Sequence, residues 1–226
     1  MKNGVEADNE GWKMLVKEAH QLGKVSLGNS KMPGSTFAQD AFQCNVGSKL
    51  REVPGSICSQ CNMIRIQKMR PDVDKGYKLN QSKWANSKPQ DWIDSMVFQI
   101  NRMYLRTLEP FHRWFDSGDL ADYEQLMSID MVARLTPQIY HWLPTKEYAL
   151  VREYQRKNIP PKNLVIRVSA PMIDGKPSTS FQNTSTVHKK KDPQGFECEA
   201  RLRGNMCGPC RACWDVDVPN VSYPKK

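Results

Sequence analysis

The residues whose type and spacing carry chemistry here are seven cysteines: Cys44, Cys58, Cys61, Cys198, Cys207, Cys210 and Cys213. Three fall within positions 44–61 and four within 198–213, with none in the 136 residues between. In a reducing compartment, thiols grouped this way read as metal ligands rather than as a disulfide framework. The later set is spaced C-x8-C-x2-C-x2-C. Two-residue spacers let neighbouring thiolates wrap one centre, and Gly208-Pro209 supplies the turn between them. The run Cys207, Cys210, Cys213 reads as the segment that grips a four-iron cluster, with Cys198 as fourth ligand. Structural zinc, Zn2+ held by two separated pairs, is the other reading. The earlier set has three members and no evident fourth. Either Cys58 and Cys61 form half a zinc site or a dithiol while Cys44 packs as a small hydrophobe, or three thiolates hold a [4Fe-4S] cluster with one iron left open.

The elements that must position these thiols follow from the apolar pattern. Residues 10–22 are spaced as one helix ended by Gly23, and 89–107 as a second, with Pro89 in its first turn. Trp92, Met96, Val97, Ile100, Met103 and Tyr104 share one face of it and read as core. Strand patterns occur at 24–29, 111–115, 139–143, 164–169 and 184–188, with helical patterns at 120–135 and 146–157. The 120–135 pattern runs through Leu120, Tyr123, Met127, Met131 and Leu135. This alternation predicts βαβ units with mostly parallel strands, curled into an incomplete (β/α) barrel. The expected division is a helical segment 1–23, a partial barrel core 24–190 and an irregular Cys-rich segment 191–226.

Composition bounds the rest. The chain has 226 residues, 39% hydrophobic and 25% charged, with 33 Lys+Arg against 24 Asp+Glu and a net charge of +9, which argues against wholesale disorder. No stretch is long and apolar enough for a transmembrane helix, and MKNGVEADNEGWK has no apolar run of the secretory type. A cytoplasmic protein without a membrane partner is the expectation. Lys189-Lys190-Lys191, with Lys225-Lys226, gives a basic surface for nucleic acid or a host protein, although a lysine run is more often a solvated loop. His20, His112 and His141 fall inside predicted elements and read as structural.

In parallel α/β architectures ligands bind at the carboxyl ends of the strands. Those ends are polar here. The first leads through Asn29-Ser30-Lys31 to the early cysteines, the second to Asp116-Ser117-Gly118-Asp119 and the third to Pro144-Thr145-Lys146-Glu147. The fourth leads to Ser169-Ala170-Pro171, and the last lies near Ser185, Thr186 and His188. Asp119 and Thr145 are equally suited to cap the helices that follow.

The segments NSKMPGSTFA, PGSICSQC, HRWFDSGDL, HWLPTKEYALVR, VIRVSAPMIDG, TSTVH, CGPCRACWD and NVSYPKK resemble the gene product 88 family of bacteriophage proteins, from about Asn29 onward. This resemblance implies a phage protein acting in the cytoplasm of an infected bacterial host. More distantly, the chain is similar to radical S-adenosylmethionine (SAM) enzymes. Those are partial or full barrels with three cysteines after the first strand and often an auxiliary cluster near the C-terminus. Their usual spacing is C-x3-C-x2-C; here it is C-x13-C-x2-C. The similarity implies two [4Fe-4S] clusters, S-adenosylmethionine as co-substrate, an electron donor of the host and an unnamed small-molecule or macromolecular substrate. It places Ser117, Gly118 and Asp119 at the methionine amino group, with Ser169 and His188 as further cofactor-binding residues. Asp116, Asp119 and Lys146 are the implied catalytic residues, the aspartates facing cationic or hydroxyl groups and Lys146, with Arg167, pairing with a carboxylate.

Overall fold

A computed structural model describes residues 15–28, 31–189 and 192–225. Residues 15–19 are helical and run into a 3-10 turn, His20–Leu22, that stops at Gly23 with φ +122°. Residues 10–14 of the expected first helix lie outside the described residues. Six further α-helices follow: α1 (Asn45–Arg51), α2 (Asn62–Met69), α3 (Pro71–Asn86), α4 (Pro89–Thr107), α5 (Tyr123–Leu135) and α6 (Tyr148–Lys157). The strands are β1 (Ser26–Leu27), β2 (Ser35–Phe37), β3 (Phe111–Trp114), β4 (Tyr140–Thr145), β5 (Leu164–Ile173), β6 (Thr184–His188), β7 (Phe196–Glu197) and β8 (Asn220–Pro224). They form one sheet in the order β1-β2-β3-β4-β5-β6-β8-β7. Only β1 runs antiparallel to its neighbour. The sheet does not close on itself. It is a partial α/β barrel.

Two expectations change. The stretch 24–29 is not the strand that leads to the cysteines; Ser26–Leu27 is an exposed antiparallel edge, and Asn29 and Ser30 lie outside the described residues. The parallel first strand is Ser35–Phe37, within what reads as a Gly/Ser/Pro-rich loop. Its three residues are all buried, and Phe37 packs among Trp92, Trp114 and Phe115. On α5, the stripe through Met131 and Leu135 is half exposed, and Leu126, Ile129, Val132 and Ala133 are buried instead. Both stripes have helical spacing. Asp122 fixes the start by accepting from Gln125 N at 2.7 Å.

Side chains alternate between the faces of a strand, and the register divides the sheet cleanly. Trp114, Leu143, Leu164, Ile166 and Val168 join one core with Trp92, Met96 and Ile100 of α4 and Leu126, Ile129 and Val132 of α5. Each such large side chain contributes about 1.5–3 kcal/mol on burial. The expected core face of α4 is therefore the observed one. His112 and His141 lie on this side too. His141 Nδ1 accepts from the Trp114 indole at 3.2 Å, so its proton sits on Nε2, facing Thr136 Oγ1 at 2.8 Å. Burial holds its pKa down to about 3.

The opposite face carries Phe111, Arg113, Trp142, Val165, Arg167, Ser169, Ser185, Val187 and Tyr223. The Cys-rich segment covers its first half. Trp214 stands edge-on to Phe111 and Trp142 with ring centroids 5.4 and 5.2 Å apart, and its indole donates to His112 O at 2.9 Å. Beyond Trp214 the face is open.

Candidate functional site

The open half of this face is a cleft of about 380 Å³ at the carboxyl ends of the strands. Asp119, Lys146, Ser169, Ser185 and Thr186 line it, as the sequence leads one to expect, together with Gly118 and Thr145. Arg113, Trp142, Tyr223, Phe115 and Ile57 complete it. Arg113, Trp142 and Tyr223 are not among the expected site residues. The available signal is alternation: in FHRWF the His and Trp share one side, which leaves Arg113 half-buried on the other.

Asp119 is the structural hub of the rim. Its Oδ1 accepts from Thr145 Oγ1 at 2.6 Å and Leu120 N at 2.8 Å, and its Oδ2 accepts from Lys146 N at 2.8 Å. Burial pushes its pKa up, against these bonds, which favour the ionised form. Both oxygens thus join the loop after β3 to the end of β4. Gly118, at φ +83°, lets that loop meet the end of β2; a β-carbon there would lie 2.9 Å from the Gln39 backbone.

Three expected residues have other engagements. Ser117 is buried, with its hydroxyl toward Gln67 Oε1 at 3.4 Å. Asp116 pairs with Arg113 Nη1 at 3.2 Å. His188 lies between Ser222 Oγ at 2.7 Å and Glu197 Oε1 at 3.3 Å. None of these three lines the cleft.

Arg167 requires a correction. It is fully buried, and all five of its N–H donors go to backbone carbonyls: Cys213, Thr184, Val218, Ala212 and Asp215, at 2.7–3.2 Å. A guanidinium has five donors, so none is left for a ligand carboxylate. Of the lysine run, Lys190 and Lys191 lie outside the described residues, as does Lys226; Lys189 N donates to Asp174 Oδ1 at 2.7 Å.

The two thiol groups flank the cleft. The thirteen residues between Cys44 and Cys58 are taken up by α1 and a turn that returns along β5. Ser56 bridges Met172, Ile57 N donates to Pro171 O at 2.9 Å, and Ile173 N donates to Gly55 O at 3.1 Å. The long spacing is thereby folded back on itself. Cys44 is the N-cap residue of α1, and Glu147, at the end of β4, accepts from Val46 N in that helix's first turn at 2.9 Å. Cys61 is the N-cap residue of α2. Gln67 on α2 donates to Asp40 at 2.8 Å and accepts from Ala41 N at 2.9 Å, fastening α2 to the segment that leads into Cys44. Burial raises the Cys44 and Cys58 thiol pKa values; their neighbours Cys61 and Asp119 act the same way, while Lys146 opposes this at Cys58.

Cys207 lies within electrostatic reach of Cys198 and Cys210, and Cys213 within reach of Cys198 and Cys207. Burial pushes Cys213 up to about 12. Its Sγ is 3.1 Å from the hydroxyl of Tyr223, which lines the cleft.

All seven thiols are free. Among the described residues, no three His, Cys, Asp or Glu side chains converge tightly enough to hold a metal ion as they stand. The sulfurs of Cys44 and Cys58 nevertheless face one spot. A β-carbon on Gly47 would lie 2.8 Å from Cys44 Cβ, 3.6 Å from Cys44 Sγ and 3.7 Å from Cys58 Sγ, so both sulfurs converge over a position that only glycine fits. Soft sulfur donors select zinc, copper(I) or iron–sulfur clusters.

An open, mostly parallel α/β sheet with two cysteine groups beside one polar cleft defines the class of protein. The family model for Gene product 88 matches residues 24–216, and the chain belongs to that family. No curated protein and no solved structure matches it. Among the described residues, no helix is long and apolar enough to cross a membrane.

Proposed function

We propose that this chain is an iron–sulfur protein of the infected cell's cytoplasm. In this reading Cys44, Cys58 and Cys61 hold a cluster with one open iron beside the cleft, and Cys198, Cys207, Cys210 and Cys213 hold an auxiliary cluster. The observation that carries the reading is Gly47. It lies buried in the first turn after Cys44, and the sulfurs of Cys44 and Cys58 converge over it. The finer part of the proposal is that the cleft binds S-adenosylmethionine and that the chemistry is of the radical type. When bound and reduced, the first cluster supplies the electron that such chemistry requires.

The chain's own residues have separable tasks. Asp119 joins the loops after β3 and β4, which holds Lys146 at the rim beside Cys58. Glu147 and Gln67 hold the Cys44 and Cys61 helices in register. Tyr223 joins the second thiol group to the cleft wall and donates to the Cys213 sulfur once that sulfur is a thiolate.

Anaerobic purification with iron, sulfide and zinc analysis tests the reading. Brown protein bleached by dithionite is the expected result, and Cys58→Ala should remove only part of the iron. Colourless, zinc-loaded protein overturns it in favour of a structural zinc protein. Incubation of the loaded, dithionite-reduced chain with S-adenosylmethionine should release 5′-deoxyadenosine; no release from fully loaded protein overturns the radical step alone.

A further inference from the structure

Among the described residues that line the cleft, two are cations: Lys146 at the rim and Arg113 on the sheet wall. Arg113 projects from β3 opposite Trp142 of β4, and its guanidinium lies 4.5 Å from the centroid of that indole. Stacking on an aromatic face holds the guanidinium plane in one orientation. Its Nη1 is engaged at 3.2 Å by Asp116 Oδ1 and at 3.2 Å by Met32 Sδ. Its Nε is buried and has no hydrogen-bond partner, and no bond to Nη2 is seen among the described residues.

A guanidinium held along one edge and free along the other is a half-filled fork. A buried N–H without a partner is costly, and an oxyanion that spans Nε and Nη2 removes that cost with two parallel charge-assisted bonds. The surroundings favour an anion over a cation. Lys146 adds a second positive charge, the oxygens of Asp119 are already taken by three protein donors, and Asp116 lies on the far edge of the fork.

We propose that the cleft receives a ligand through a carboxylate or phosphate seated on the Nε–Nη2 edge of Arg113, with Trp142 as the platform that orients it. This deepens the reading of the cleft as the ligand site and rests on it, but it does not require metal at either thiol group.

The test is an NMR titration of the metal-free and the metal-loaded chain, with metal content measured on the same samples. The Arg113 Nε–Hε resonance, assigned through bonds, is followed while inorganic phosphate or acetate is added. A saturable shift with either anion is expected: phosphate alone assigns phosphorylated ligands, acetate alone assigns carboxylates. Arg113→Lys keeps the charge but not the fork, and should weaken binding by about tenfold. No shift with either anion, or equal affinity in a folded Arg113→Lys chain, overturns the proposal. The shift is read in the unaltered chain, so misfolding of the variant does not remove the test. Absence of iron speaks only to the thiol groups, whereas silence at Arg113 speaks only to this inference.

Discussion

The two thiol groups are fastened to the same sheet by opposite means. The early group depends on side chains that reach in from distant strands and helices: Glu147 to the start of α1, Gln67 to the segment before Cys44, and backbone bonds along β5 to the turn before Cys58. The later group lies in irregular chain with two 3-10 turns, at Glu199–Arg203 and Ala212–Trp214. One buried cation, Arg167, gathers its carbonyls. Distributed support tolerates the loss of any one tie. The carbonyls of 212–218 converge on one residue, although Cys198 N, Cys207 N and the Trp214 indole have ties of their own to Ser222, Lys31 and His112.

The largest expected effect follows from that contrast. Arg167→Met leaves several buried carbonyls unpaired and should cost about 3–5 kcal/mol, measured by urea unfolding. Hydrogen exchange should rise first across residues 212–218, with the segment 44–61 still protected. Equal loss of protection in both segments would remove the contrast.

Acid acts beneath both groups. The folded pKa of His141, about 3, lies below the ordinary 6.5, so the folded state binds fewer protons. Its contribution is complete above pH 6.5 and is lost as pH falls toward 3. By pH 4 this one site should remove about 3 kcal/mol. Denaturation midpoints measured from pH 7 to 4 should fall, and His141→Gln should flatten the dependence.

Smaller effects separate the ties of the early group. Gln67→Leu leaves Ala41 N unpaired and should cost about 1–3 kcal/mol, read by urea unfolding. Protection should be lost around 40–51 and kept around 212–218. Gly47→Ala should cost about 1–3 kcal/mol, since overpacking at this buried site outweighs alanine's preference for helix. Its β-carbon would meet Cys44 Cβ at 2.8 Å, so metal loading of the early group should fall while that of the later group holds. Metal analysis in a Cys207→Ala background reads the early group alone.

Much of this frame was legible from pattern. The strands at 111–115, 139–143, 164–169 and 184–188 and the α4 helix announce themselves by alternation or helical spacing, and Asp119, Lys146, Ser169, Ser185 and Thr186 from those strand ends line one cleft, while Asp116, Ser117 and His188 do not. Short elements stayed hidden for physical reasons. Ser35–Phe37 has three residues, too few for a period, and is set by pairing with β3. Helices α1 to α3 carry mixed or weakly apolar faces; α3 buries only Asn80 and Trp84. Strand β8 is specified by its place beside β6, which nothing local in NVSYP reveals. Arg167 misled because a cation within a strand suits an anionic ligand as well as it suits carbonyls, and only the carbonyls of 212–218, far off in sequence, decide between them.

A sheet that stays open has two free borders, and exposed borders invite other chains to pair with them. Here each ends on a strand of two residues, β1 on one side and β7 on the other, both exposed. Such stubs offer a neighbouring molecule too few main-chain groups to extend the ladder. The interior can therefore remain reachable by small solutes without the self-association that an unfinished barrel would otherwise risk.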